Sequence, residues 1–168
     1  MKHITLLLLC LRAFLCQAQD VSLQVAGRWV SLKADEMQTE IKPGWSIAGK
    51  KLKDTRVLYL WGKSALQMTD DRKPALRVKP GIQETLVDYA LIRLKTRRDH
   101  RRLPKERLRD NTYVRLEPEH FSIQAEGKDA FVCTPNVPLP PGEYILTCLN
   151  QTLSEEQAGY KVYPFRIP

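Results

Sequence analysis

Two cysteines, Cys133 and Cys148, are the residues whose spacing points most directly to chemistry. They lie at equal distances along the chain from the proline pair Pro140 and Pro141, a turn signal. A symmetric hairpin about that turn places the cysteines opposite each other, about 4.5 Å apart at Cα, at the short end of the disulfide range. Closing a loop of about 15 residues contributes roughly 3 kcal/mol in the chain-entropy model. The pattern predicts a disulfide between Cys133 and Cys148, the alternative being two buried thiols that pack as small hydrophobic groups.

The second chemical feature is a run of basic residues between positions 93 and 109. This stretch has nine basic and two acidic residues, a net charge of +7. Asp99 and His100 lie between two arginine pairs as the tip of a hairpin would, and side chains two apart along a strand share a face. Because arginine forks match both phosphate and carboxylate groups, we predict an anion-binding ribbon. Its candidate residues are Arg93, Lys95, Arg97, Arg98, Arg101, Arg102 and Lys105.

The partner expected for such a ribbon is rich in phosphate or carboxylate groups. Lipid phosphates of an outer membrane, acidic glycans and an acidic protein all fit this description. Nucleic acid is disfavoured because no aromatic side chain is interleaved between positions 93 and 109 to stack on bases. The alternative interpretation is a solvated loop whose charge keeps an edge strand from pairing with neighbouring chains.

The histidines and neighbouring carboxylates do not form a catalytic pattern. Beyond position 19 the chain has two histidines, His100 and His120, and neither lies in a His-Glu-x-x-His spacing. The sequence has neither a Gly-x-Ser-x-Gly nucleophile elbow nor a glycine-rich phosphate loop. Glu117 and Glu119 flank Pro118, which favours a turn with solvated acids over a catalytic pair. We therefore expect no enzyme activity, no cofactor and no metal site.

The tryptophans fit either a sugar-stacking surface or an ordinary core. Trp29 and Trp61 lie within apolar strand patterns, and buried aromatics commonly fill the interior of a β-sandwich. We therefore predict that both are buried. Trp45, next to Pro43 and Gly44 in a segment typical of a loop, is the candidate for an exposed ligand contact.

Residues 1–19 have the pattern of a cleavable secretory signal peptide. A basic start is followed by an apolar run over residues 4–11 and by a small-residue exit before Asp20. The apolar run is much shorter than the about 20 residues that a membrane-spanning helix needs. We therefore predict a mature domain of residues 20–168, secreted or periplasmic. A lipid anchor on Cys16 at an outer membrane is the alternative and the one route to membrane contact, although Leu15 occupies a position where acylation favours a small residue.

Removal of this segment shows that the positive charge is local. Lys2 and Arg12 are removed with it, which leaves 25 basic and 19 acidic residues and a net charge of +6. Residues 93–109 alone carry +7. The basic character is therefore a property of one stretch and not of the whole surface.

Short runs rich in Val, Ile, Leu, Tyr and Trp recur between turn signals along the chain, and this pattern favours strands. The candidate segments are 21–25, 28–33, 56–61, 75–79, 86–96, 112–116, 121–125, 130–134, 143–149 and 160–167. A mature chain of about 150 residues with no internal repeat favours a single domain. Seven or more short strands at this spacing predict an all-β fold, an immunoglobulin-like antiparallel β-sandwich.

Several short motifs occur together in the later part of the chain. They are Trp61-Gly62-Lys63-Ser64-Ala65, a strand that begins at Pro74, Glu117-Pro118 ahead of Phe121, and Leu139-Pro140-Pro141-Gly142-Glu143-Tyr144. In these motifs the chain resembles uncharacterised exported β-sandwich proteins of Gram-negative gut-type anaerobes, over about residues 58–167. The sharpest element of the resemblance is the Pro-Gly-Glu-Tyr motif that opens a strand. The cysteine pair and the arginine density depart from that group, and the resemblance supplies no catalytic residues.

Together these features predict an exported, non-catalytic β-sandwich that serves as an interaction or structural module. The alternative is a binding module for an anionic polymer or glycan, which contacts its ligand through residues 93–109. The two functions differ in whether reversal of the charges from Arg97 to Arg102 changes the binding of a partner.

Overall fold

The structure, a computed structural model, describes residues 20–42, 46–47, 50–51, 55–81, 84–103, 113–149 and 160–168. The predicted signal peptide, the Cys16 anchor, Trp45 and Lys105 lie outside these residues. What the sequence indicates about them therefore stays a prediction.

The described residues form short strands whose ladders are antiparallel. The strands are β1 (Asp20–Val25), β2 (Arg28–Ser31), β3 (Asp35–Lys42), β4 (Ser46–Ile47), β5 (Lys50–Lys51), β6 (Thr55–Trp61), β7 (Leu76–Lys79), β8 (Tyr89–Thr96), β9 (His100–Arg102), β10 (Tyr113–Arg115), β11 (Phe121–Glu126), β12 (Ala130–Pro135), β13 (Gly142–Cys148) and β14 (Tyr160–Ile167). A 3-10 turn, Leu86–Asp88, leads into β8. In this part of the chain no helix has the length and apolar character needed to cross a membrane.

Two sheets account for all of these strands except the β4-β5 pair. The open sheet has the order β11-β12-β7-β1-β2. The second sheet has the order β10-β8-β13-β14-β3-β6-β9, and β9 pairs in addition with β8. Six of its strands therefore close on themselves, and we call these six the closed sheet. β10 pairs with residues 90–92 of β8, on the part of that strand with which β9 does not pair.

The larger hydrophobic core lies between the two sheets. From the open sheet it takes Val21, Leu23, Leu76, Val78 and Phe121. From the closed sheet it takes Tyr89, Leu91, Tyr144, Leu146 and Phe165. Face-to-face burial of this kind is what holds two sheets together in a sandwich.

A second, smaller core fills the inside of the closed sheet. Its buried residues are Met37, Leu60, Ile92, Leu94, Ile145 and Val162. Strand β13 serves both cores, because successive side chains of a strand point to opposite faces. Tyr144 and Leu146 pack between the sheets, whereas Ile145 packs inside the closed sheet. This double burial explains why β13 reads as a near-continuous apolar run.

The predicted all-β, antiparallel, sandwich-like fold is confirmed, and each predicted segment overlaps an observed strand. The closure of one sheet is new, and it depends on β3 and β9, which the apolar pattern does not predict. β3 is mostly polar and exposed, with Met37 buried at 2% exposure. Over residues 35–40, where the structure describes the side chains, Met37 is the one buried apolar residue, and a single such residue carries too weak a period for detection from sequence.

Candidate functional site

Strands β8 and β9 form the hairpin that the basic stretch predicts. The backbone amide of Arg97 donates to the carbonyl of His100 at 2.8 Å, so Arg98 and Asp99 occupy the tip. Nδ1 of His100 lies 2.6 Å from Oδ1 of Asp99, and this hydrogen bond lowers the pKa of the Asp99 carboxyl below its usual value. The tip therefore lies one residue earlier than the sequence suggests.

The basic side chains of this hairpin do not form one continuous ribbon. The exposed members are Arg93, Lys95, Arg97 and Arg98. Arg101 is only 3% exposed. Arg102 is half-buried, and its Nε has no hydrogen-bond partner among the residues that the structure describes. Of the candidate anion-binding residues, Arg101 is thus a structural element, because a side chain this buried is not available to a polymer in solution.

The charge on this hairpin does not protect a sheet edge. β9 pairs with β6 on one side and with β8 on the other. β8 pairs with β13 on one side, and with β10 and β9 on the other. Since both strands have neighbours on each side, the edge-protecting interpretation does not account for the charges over residues 93–102.

Glu143 is the polar centre that supports the hairpin. Its carboxylate is on β13, 5% exposed, and it accepts hydrogen bonds from Ser64 Oγ and the Ala65 amide, both at 2.8 Å. Arg101 Nη1 lies 3.3 Å from Oε2, and Arg166 Nε lies 3.8 Å from Oε1. A buried carboxylate is tolerable when it is paired and hydrogen-bonded in this way. Glu143 therefore joins β9, β14 and the segment after β6.

Arg101 connects the same centre to the end of β6. Its Nε donates to the Gly62 carbonyl at 3.2 Å and its Nη2 to the Trp61 carbonyl at 3.3 Å. The Gly62 amide in turn donates to the Asp99 carbonyl at 2.9 Å. The hairpin tip and the end of β6 are thus held side by side.

The residues of the Pro-Gly-Glu-Tyr motif, 141–144, make specific contacts next to the hairpin. Arg93 Nη2 donates to the Pro141 carbonyl at 2.6 Å, and Tyr144 Oη donates to the Pro140 carbonyl at 2.6 Å. Gly142 lies directly under the Arg93 side chain, since a Cβ atom there would come 2.7 Å from Arg93 Nε. The Pro141 carbonyl and the missing side chain at Gly142 therefore hold Arg93 in place while it remains exposed.

The Gly142→Ala substitution is expected to lower the free energy of unfolding by about 1 to 2 kcal/mol, because Arg93 must move and its bond to Pro141 is lost. Chemical denaturation of the single and double variants measures this. In an Arg93→Ala background the same substitution is expected to cost less than about 0.5 kcal/mol. Equal costs in the two backgrounds would show that the Arg93 side chain is not what demands glycine.

Trp61 is exposed, contrary to the sequence-based prediction. Its side chain is 56% exposed, and that of Trp29, also predicted to be buried, is 37% exposed. Along β6 the alternation turns Leu60 into the closed sheet, so Trp61 and Tyr59 face outward. Gln38 Oε1 accepts from Trp61 Nε1 at 2.8 Å and from Tyr59 Oη at 3.1 Å. The apolar strand pattern was wrong here because the outer face of β6 is uncovered at its end: Val57 on that face is buried, whereas Trp61 is exposed.

A cleft lies between Trp61 and the segment that follows β6. Its volume is about 460 Å³, and its walls include Lys33, Asp35, Trp61 and Leu66, with Arg101 also in contact. Leu66 is 93% exposed. We call this feature the Trp61 cleft. It adjoins the hairpin, because Trp61 lies opposite His100 in the β6-β9 ladder.

The two cysteines are buried but not joined. Cys133 lies on β12 of the open sheet, opposite Ile123, and Cys148 ends β13 of the closed sheet, opposite Tyr89. Residues 136–141 therefore cross from one sheet to the other and do not form a hairpin. The predicted disulfide was wrong: no disulfide bond links Cys133 to Cys148 in the structure, and both side chains pack in the core between the sheets.

Burial raises the pKa of the Cys133 thiol to about 12, so its thiolate is scarce at neutral pH. We expect the native protein to be alkylated at Cys133 at least about 100-fold more slowly than the denatured protein. Peptide mapping by mass spectrometry, without reductant, measures the rate at each cysteine. Denatured protein in which Cys133 and Cys148 both resist alkylation until reductant is added would contradict the thiol assignment.

Sequence reasoning did not predict Glu143, Ser64 or Gln38 as members of this surface. Glu143 carries a usable signal, a charged residue inside an otherwise apolar strand, because a buried charge requires a partner. Ser64 and Gln38 carry none, since their partners lie 79 and 23 residues away along the chain.

Within the residues that the structure describes, no group of three His, Cys, Asp or Glu side chains is arranged to hold a metal ion. No protein-family model matches the sequence. Neither the curated proteins nor the solved structures compared with it give a match. The functional proposal therefore depends on the geometry of the hairpin and the Trp61 cleft.

Proposed function

We propose that this protein is an exported, non-catalytic interaction module that binds an anionic polymer at the tip of the β8-β9 hairpin. Lys95, Arg97 and Arg98 are the contacts. The observation that carries the proposal is that exposed cations are presented by a hairpin whose base is fixed by the buried Arg101–Glu143 pair. A surface fixed before binding loses less conformational entropy when the ligand arrives.

Export and the immunoglobulin-like class of the sandwich belong to this proposal. The apolar segment and exit of residues 1–19 support export, and the shared motifs support the relationship to exported β-sandwich proteins. A purely structural role is less well supported, because it gives no reason for a hairpin tip with this density of exposed arginine.

The paired substitution Arg97→Ala with Arg98→Ala is expected to weaken binding to heparin and to inorganic polyphosphate about tenfold at low salt. The salt dependence of the affinity should also become shallower, because fewer counterions are released. Affinity-column elution and titration at several salt concentrations measure both effects.

A matched control is Arg28→Ala with Lys128→Ala, which removes the same charge from exposed positions on β2 and on the turn between β11 and β12. This variant should bind almost as well as the unchanged protein. Equal losses in the two double variants would mean that net charge alone governs retention, and the hairpin would not be a binding site.

A further inference from the structure

The Trp61 cleft has the construction of a platform for a ring-shaped ligand. Trp61 is 56% exposed, yet its orientation is fixed by the 2.8 Å bond from Nε1 to Gln38. Tyr59 packs edge-on against it, with ring centroids 5.4 Å apart and planes at 90°. His100 adds a second edge contact at 6.5 Å. An indole that is fixed by its neighbours and still more than half exposed can stack on a ring-shaped ligand and loses little entropy on binding.

The polar groups of the cleft suit hydroxyl groups as well as anions. Lys33 and Asp35 line it together with Ser64 and Gln67. A sugar hydroxyl can donate to the Asp35 carboxylate and accept from the Lys33 ammonium group. A phosphate group has only acceptor oxygens, so it can bind the Lys33 ammonium group and the donors of Ser64 and Gln67, but the Asp35 carboxylate repels it. The mixture of both charges therefore favours a carbohydrate over a nucleic acid, although both have faces that stack on indole.

The cleft and the cationic hairpin form one continuous surface. The Gly62 amide, next to Trp61, donates to the Asp99 carbonyl of the hairpin tip at 2.9 Å. A chain that places one ring on Trp61 can therefore extend across the tip, where Arg97 and Arg98 are exposed. Carboxylate groups on that chain complement the arginine forks.

We infer that the ligand of this surface is an acidic polysaccharide, with one sugar ring stacked on Trp61 in the cleft and neighbouring acidic units on the hairpin tip. The inference rests on the proposed function and narrows its ligand class. Residues 93–109 contain no aromatic side chain, but the fold places an aromatic residue of β6, Trp61, beside them.

The test compares three ligands of similar charge by titration: a galacturonate oligosaccharide, inorganic polyphosphate and a single-stranded oligothymidylate. Trp61→Ala is expected to weaken binding of the oligosaccharide about tenfold, and that of polyphosphate less than about twofold, because polyphosphate has no ring to stack. Trp61→Phe keeps an aromatic face without the indole N–H and should recover part of the loss. Trp29→Ala, which removes another exposed tryptophan from the open sheet, is the matched control and should change neither.

The outcomes separate the inference from the proposed function. One outcome is that the Arg97 and Arg98 variant binds both the oligosaccharide and polyphosphate more weakly, whereas Trp61→Ala affects the two ligands equally. The hairpin would then remain the anion-binding site, and the sugar site at Trp61 would be rejected. If the arginine variant weakens neither ligand, the proposed function fails. Tighter binding of oligothymidylate than of the oligosaccharide, with loss on Trp61→Ala, would overturn the inference in favour of nucleic acid.

Discussion

The Glu143→Ala substitution is expected to lower the free energy of unfolding by about 3 to 5 kcal/mol, the usual cost of removing one partner of a buried ion pair. Arg101, 3% exposed, would keep its charge in the interior without its carboxylate partner. The Ser64 hydroxyl and the Ala65 amide would lose their acceptor as well. Chemical denaturation followed by circular dichroism measures the loss.

The exposed pair Arg77–Glu126 is the control for this experiment. Its two side chains are each 42% exposed, so Glu126→Ala should cost no more than about 1 kcal/mol. Glu143→Gln keeps the shape and one acceptor oxygen, and it should fall between the two. A cost for Glu143→Ala as small as that for Glu126→Ala would show that the Arg101–Glu143 pair does not stabilise the hairpin base.

Adjacent positions on β13 provide the second large effect. Ile145→Ala and Leu146→Ala are each expected to cost about 2 to 5 kcal/mol, because each removes a fully buried side chain from a different core. In a sandwich whose outer face is open to solvent, one of two neighbouring residues would be exposed, and its substitution by Ala would lower the free energy of unfolding only slightly. Similar, large losses at both positions therefore test whether the second sheet is closed.

Gln124→Ala, at an exposed position of β11, is the control and should change stability by less than about 0.5 kcal/mol. The free energies come from equilibrium unfolding of the four proteins under one set of conditions. A loss below about 1 kcal/mol for Ile145→Ala alone would mean that the inside of the closed sheet is not a packed core.

Much of the fold could be predicted because its strands carry local signals. β13 is mostly apolar, with Glu143 and Thr147 as its polar side chains, and the first half of β8 is a continuous apolar run. β9, a three-residue strand of His and Arg, has no apolar period, so only the hairpin pattern of the basic stretch predicted it. The predicted tip of this hairpin was one residue away from the observed one, because a short polar tip between two strands is a pattern that a local segment of sequence carries.

The candidate site was predicted only in part. Residues 93–102 were correctly recognised as a basic hairpin, but the burial of Arg101 depends on Glu143, 42 residues away along the chain. The cysteine pairing failed for a similar reason. Equal distances from a proline turn imply a hairpin only if both flanking strands join the same sheet, and here β12 and β13 belong to different sheets.

The sequence by itself determined the all-β character, the positions of the apolar strands and the concentration of charge, because these follow from side-chain periodicity and composition within short windows. The tertiary structure alone decided which charged side chains and which tryptophans are exposed, and which distant segments of the chain contact each other. It brought Ser64 and Glu143 within 2.8 Å and placed Trp61 opposite His100. Such contacts depend on the order in which strands join a sheet, and no short window of sequence carries that order.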